Sequence, residues 1–386
     1  MRHKTLGCIL IVAGTTIGAG MLALPLTMLS LGFPLSLLLL FAIWALMLIT
    51  ALTTLKVTLC FPLGSTFHTM ARQVLGPIGW WVTTIAFMWL FYALLAAYTS
   101  GAAAFLSSYI PLSAEVLSLL FLGLFGGVII WTTSAVDYTN RFLFALKIIA
   151  FLVISVALSS QVKPSALLES ASPFSVSFWI SLPLLVTSFG FHGSIPSLVK
   201  YMGKDSSRLK FIFIIGSFIP VILYIIWLGL IFGSIGSEPL TSMSVGELTT
   251  LLKTKTGLAW IGLALDIFAQ LAIVTSFLGV GLGLRSFFSD MLQRSKEASR
   301  VAVALITFLP PTFIVLLFPS IFIQALGFAA IALLILAVFI PILLAFRMPK
   351  KQLSFSPKAR WGLAACFLMG VGLVGIEILN IASVLR

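Results

Sequence analysis

Three glycines and two threonines fall within seven residues at Gly14-Thr15-Thr16-Ile17-Gly18-Ala19-Gly20, inside an otherwise apolar stretch. A second cluster, Ser188-Phe189-Gly190-Phe191-His192-Gly193-Ser194, sets glycines among aromatic rings and an imidazole. Glycine lets a chain leave helical geometry without steric penalty, and a helix broken in this way exposes backbone groups that can bind ions. The half-helix that restarts near Gly20 presents unpaired N–H groups at a positive dipole end, which suits a carboxylate. Thr15 and Thr16 add hydroxyls. Phe189 or Phe191 can flank an apolar or aromatic side chain. His192 can contact a ligand, relay a proton or hold the break together by a structural hydrogen bond. A competing reading makes Gly14, Gly18 and Gly20 a small-residue face for close helix packing; the matching cluster at 188–194 weighs against it.

Isolated charges give the second set of candidates. Lys147 sits inside an apolar stretch, one to two turns from Arg141. It either snorkels to lipid headgroups or faces the first break, where its ammonium would fill a cation site in place of sodium and could load and release a proton. Asp266 and Gln270 are one turn apart and share a helix face, with Thr275 and Ser276 following. An acid at bilayer depth is a functional candidate, or pairs with a neighbouring helix for structure. Glu377 reads as structural, while Tyr92 and Tyr98 either face a cavity or pack at an interface. Cys8, Cys60 and Cys366 have no metal-ligand or disulfide spacing, and the three histidines are dispersed, so no cofactor or metal is expected. There is no phosphate-binding G-x-x-x-x-G-K-[ST] loop and no H-E-x-x-H, so nothing points to an enzyme.

These side chains need a membrane to position them. The 386 residues are 60% hydrophobic and 9% charged, far below the roughly one-quarter charge of a soluble domain. Eleven stretches are of spanning length: 6–31, 33–59, 80–107, 114–134, 141–160, 176–199, 210–233, 257–285, 300–318, 320–346 and 361–384, here spans 1 to 11. The first is too long, and too rich in glycine and proline, for a cleaved signal. The net charge of +13 reflects topology rather than nucleic-acid binding. With the N-terminus in the cytoplasm, 19 of the 23 Lys and Arg lie inside, and only Lys163, Lys253, Lys255 and Arg386 lie outside. That bias sets an N-in, C-out orientation.

The broken spans are numbers 1 and 6. Their odd separation means that two five-span halves would enter the membrane in opposite directions, with a binding site at their interface. The expected organisation is 1–160 as the first repeat, 161–346 as the inverted second repeat, and 347–386 as a basic loop with span 11. The outer loop 234–256 is expected to hold short helices capping a vestibule, and Pro310-Pro311 to kink span 9. All-helical, with two breaks at mid-membrane, the chain reads as a secondary transporter; a passive channel is the weaker alternative.

The run Val12 to Pro25 also resembles the opening signature of the bacterial hydroxy and aromatic amino acid permeases. The resemblance continues at Asn140-Arg141-Phe142-Leu143-Phe144 and Lys147-Ile148-Ile149, is strongest at Thr187 to Ser194, and resumes at Thr275-Ser276-Phe277-Leu278-Gly279-Val280 and Thr307 to Pro311. Within that family the chain is most similar to tyrosine-specific members of the inner membrane. The resemblance implies a leucine-transporter-like fold of eleven helices and proton-coupled import of an aromatic amino acid. Tyrosine is favoured over tryptophan or phenylalanine, and sodium is the alternative coupling ion. It places substrate contacts on Gly14, Thr15, Thr16, Gly18, Ala19, Gly20, Phe189, Gly190, Phe191, His192 and Gly193, with Tyr92 as a further candidate. Lys147 matches a family lysine, and Asp266, Gln270, Thr275 and Ser276 complete the candidate coupling set. Two departures stand out: Gln270 occupies a position where relatives are expected to carry an acid, and the outer loop 234–256 is shorter than in enteric-type members.

Overall fold

The computed structural model describes residues 2–18, 20–131, 133–169, 176–236, 245–293 and 300–384, and these are helical apart from their connections. Backbone polar groups find no water in hydrocarbon, so helices that satisfy them internally are the outcome this composition dictates. Among the described residues ten helices are long and apolar enough to cross a membrane, or eleven when one bent pair counts as a single span. That pair is span 1, Lys4–Thr16 and Gly20–Leu31, bent by 46°. Ala19, between the two halves, lies outside the described residues.

Span 6 is interrupted locally, without a bend of that size, and still crosses as one span over Ser177–Met202. Helix Val176–Ser188 stops, a single 3-10 turn covers His192–Ser194, and helix Ile195–Met202 completes the crossing with Pro196 in its first turn. A proline there costs no hydrogen bond, because the first N–H groups of a helix have no internal partner. The second half of span 1 packs along Val176–Ser188, and its first half along span 7, Ser206–Ile235.

Span 3 keeps close to its expected limits of 80–107, but a short helix precedes it. The two together run Phe67–Leu106, with Thr66 capping the start by accepting from Thr69 N at 3.3 Å. Gly76, at φ 74°, turns the chain between the leading segment and the span proper. The loop 234–256 contains helix Val245–Thr256, so a helix is present there as expected. Span 9, Arg300–Leu317, runs as one helix through Pro310 and Pro311. Span 10 carries a π-helical turn at Ile335–Phe339.

Burial orders the bundle from centre to rim. In their most apolar windows, span 10 is 78% buried and span 6 is 61%, against 22% for span 9 and 28% for span 11. The inner spans thus surround the two breaks, while the outer ones turn Leu305, Leu368 and Trp361 toward lipid.

Candidate functional site

The two breaks touch. A Cβ added at Gly20 would lie 2.6 Å from Ser188 Oγ and 3.2 Å from Ser188 Cα, so only glycine lets the two half-helices meet there. At Gly18 the same atom would lie 2.8 Å from Ser276 Oγ of span 8. Gly190 is pressed against Leu333 of span 10, where a Cβ would come within 2.9 Å. Gly14 meets only Phe144 at ordinary contact distance, 3.7 Å, and Gly193 faces open space. The packing reading of the glycines therefore holds for Gly18 and Gly20, but the packing is between the two breaks and span 8.

The threonine hydroxyls are turned away from this centre. Thr15 Oγ1 donates to Ile11 O at 2.8 Å and Thr16 Oγ1 to Val12 O at 2.8 Å, back along their own helix. What span 1 offers is its carbonyls. Lys147 is 2% exposed, and its Nζ donates to Ile17 O at 2.9 Å and to Thr275 Oγ1 at 3.2 Å, with the Phe144 ring 4.7 Å away. It does not snorkel. Its ammonium sits at the C-terminal end of the first half-helix, Arg2–Thr16, where the dipole is negative. Thr275 is free to accept because its own proton goes to Ala272 O at 3.1 Å. Ser276, beside Gly18, hydrogen-bonds Tyr98 of span 3. Spans 1, 3, 5 and 8 thus converge through Ile17, Tyr98, Lys147, Thr275 and Ser276.

Sequence reasoning missed Tyr224 of span 7. Its hydroxyl lies 2.7 Å from Thr16 O and 3.0 Å from Ser188 O, with the side chain fully buried. A tyrosine deep in an apolar span must find a polar partner for its hydroxyl, and that was the available signal. Phe189 meets the Tyr224 ring edge-on at 5.5 Å. Phe191 stacks instead with Phe213 at 6.3 Å. His192 is 1% exposed, and its Nε2 lies 2.9 Å from Thr50 Oγ1 of span 2. Thr50 Oγ1 also lies 3.1 Å from Met47 O, and His192 Nδ1 has no hydrogen-bond partner. This is the geometry of a histidine that anchors the break to span 2.

Other candidates lie elsewhere. Tyr92 donates to Ile306 O at 2.7 Å and stacks with Phe288, tying span 3 to spans 9 and 8. Asp266 accepts from the Tyr109 hydroxyl and, at 3.2 Å, from Thr249 of the loop helix. The hydrogen bond to that carboxylate, aided by burial, holds the Tyr109 hydroxyl above its ordinary pKa. Gln270 Nε2 is buried with no partner. Asp266 lines a cavity of about 1510 Å³ at the loop-helix end of the molecule, bounded also by Thr27, Ser100, Tyr109, Lys253 and Glu377. Among the described residues no group of His, Cys, Asp and Glu could hold a metal ion.

Residues 1–379 match the tryptophan/tyrosine permease family. The chain belongs to that family. Tyrosine-specific transport system 1 of Haemophilus influenzae is 37% identical to this permease over 397 residues, covering 100% of the chain and 98% of the relative. The tryptophan-specific transport protein of Pseudomonas aeruginosa is 35% identical over 378 residues, covering 94% and 90%. In three dimensions the permease resembles the crystal structure of MhsT in complex with L-phenylalanine. The TM-score is 0.64 at 15% identity, over 97% of this chain and 98% of the other. The fold is therefore leucine-transporter-like, and the molecule is a multi-pass member of a permease family rather than an enzyme.

Proposed function

We propose that this permease imports an aromatic amino acid, tyrosine foremost, across the bacterial inner membrane by proton symport. One observation carries the coupling: the Lys147 ammonium lies between a carbonyl of the broken span 1 and the Thr275 hydroxyl. In the proposed cycle the coupling ion is a proton carried by a side chain. The charged amine ties span 5 to spans 1 and 8, and the neutral amine releases them. Thr275 and Ser276 hold and orient the ammonium. Asp266, lining the outer cavity, receives protons from the outside, and Gln270 lies one turn further along the same helix.

The substrate carboxylate meets the N–H groups that open the half-helix at Gly20, with the ring lodged beside the glycines and aromatic groups of Phe189 to Gly193. The preference for tyrosine rests on the names of the relatives, and residues 1–160 and 161–346 are read as the two inverted halves. The N-terminus lies in the cytoplasm and the C-terminus in the periplasm, following the distribution of Lys and Arg. A potential of 100 mV supplies about 2.3 kcal/mol per proton, enough for roughly fifty-fold accumulation.

A sodium-coupled cycle would use the same carbonyl with Thr275 and Ser276 as ligands. The two are separated by uptake of labelled tyrosine into proteoliposomes under pH and Na⁺ gradients imposed separately. Accumulation that follows inward protons and collapses with a protonophore is expected. Accumulation that follows Na⁺ alone overturns the lysine mechanism.

A further inference from the structure

The first half of span 1 and the first half of span 6 both end at a break, and a carbonyl from each end meets the same hydroxyl. Thr16 O is 2.7 Å and Ser188 O 3.0 Å from the Tyr224 oxygen. Thr16 is the last residue of its half-helix, and so is Ser188. A phenol has one proton to give, so the two carbonyls share one donor, and a shorter bond to one lengthens the bond to the other. The ring cannot swing aside: it is fully buried, with Phe189 against it at 5.5 Å and 65°. Lys147 reaches span 1 and span 8, whereas Tyr224 reaches both breaks from a third element, span 7. The close approach of Gly20 to Ser188 makes movement at either break felt at the other.

We propose that Tyr224 is a positioning residue that links the two breaks, so that spans 1 and 6 change conformation together. Its transport readout rests on the function proposed above; its exchange readout does not.

The test is Y224F, which keeps the ring and removes only the donor. Binding of labelled tyrosine to purified protein is expected to stay within about threefold of wild type. The maximal uptake rate should fall at least about tenfold, a size ordinary for a coupling between sites. In ligand-free protein, amide hydrogen exchange is expected to rise together across residues 12–18 and 186–192. A rise at one break alone, no change at either, or binding and rate falling in proportion would each overturn the link. If wild-type protein binds no aromatic amino acid, the proposed function fails, and the exchange comparison still decides the role of Tyr224. If Y224F does not fold, 3-fluorotyrosine at position 224 keeps the hydroxyl and makes it a stronger donor. Exchange should then slow at both breaks, and slowing at only one overturns the proposal.

Discussion

Replacing Lys147 by alanine removes the ammonium while leaving Ile17 O and Thr275 Oγ1 in place. Proton-driven accumulation in proteoliposomes should be lost, whereas a sodium-coupled carrier would not need that ammonium. Lys147→Arg keeps a charge that cannot leave, so it should also abolish accumulation, since guanidinium does not deprotonate in proteins. The glycines divide equally sharply. G20A forces a methyl group to 2.6 Å from Ser188 Oγ, and overpacking of that kind costs about 1–3 kcal/mol. G14A meets only ordinary contacts and should stay within about 0.5 kcal/mol of wild type. Thermal melting of the detergent-solubilised protein checks both. Lys147 and the glycines were legible in the sequence because a charge or a cluster of helix breakers is conspicuous among apolar residues. Tyr224 was not, because a tyrosine that bridges two breaks and one that ties helices, as Tyr92 does, look identical in one dimension. Thr15 and Thr16 were read as hydroxyls available to the site, yet in a helix such groups bond the preceding turn, and here they do.

The elements carry their own lessons. Ten of the eleven stretches appear as helices long enough to span, and span 1 as the bent pair, because hydropathy and backbone satisfaction act in one direction. What was missed before span 3 is the short helix that Thr66 begins; it breaks at Gly76, φ 74°, and the span proper follows close to its expected start. G76A has no neighbour to strike within 4 Å, so its cost is conformational, about 1–3 kcal/mol for a side chain forced into a positive-φ, extended-ψ geometry that essentially only glycine adopts. The contribution of Asp266 also belongs at this scale. With Tyr109 and Thr249 it fastens the loop helix Val245–Thr256 to span 8. D266N weakens both contacts by removing the charge, and hydrogen exchange across 245–256 should quicken while the breaks keep their protection.

For the whole molecule, orientation is the testable quantity. Cys8 and Cys366 are buried and Cys60 is exposed, so the native chain already contains a single accessible thiol. Charge bias puts Cys60 in the cytoplasm; a membrane-impermeant maleimide should label it in inside-out vesicles and spare it in intact spheroplasts, and the reverse pattern inverts the topology. The Lys147 amine sits between span 1 and span 8. An ion carried on a side chain cannot be exchanged for another dissolved in the medium. On the proposed cycle, swapping sodium for potassium or lithium at constant pH leaves uptake unchanged, and the cell that owns this permease can feed on aromatic amino acids equally well in fresh water and in brine.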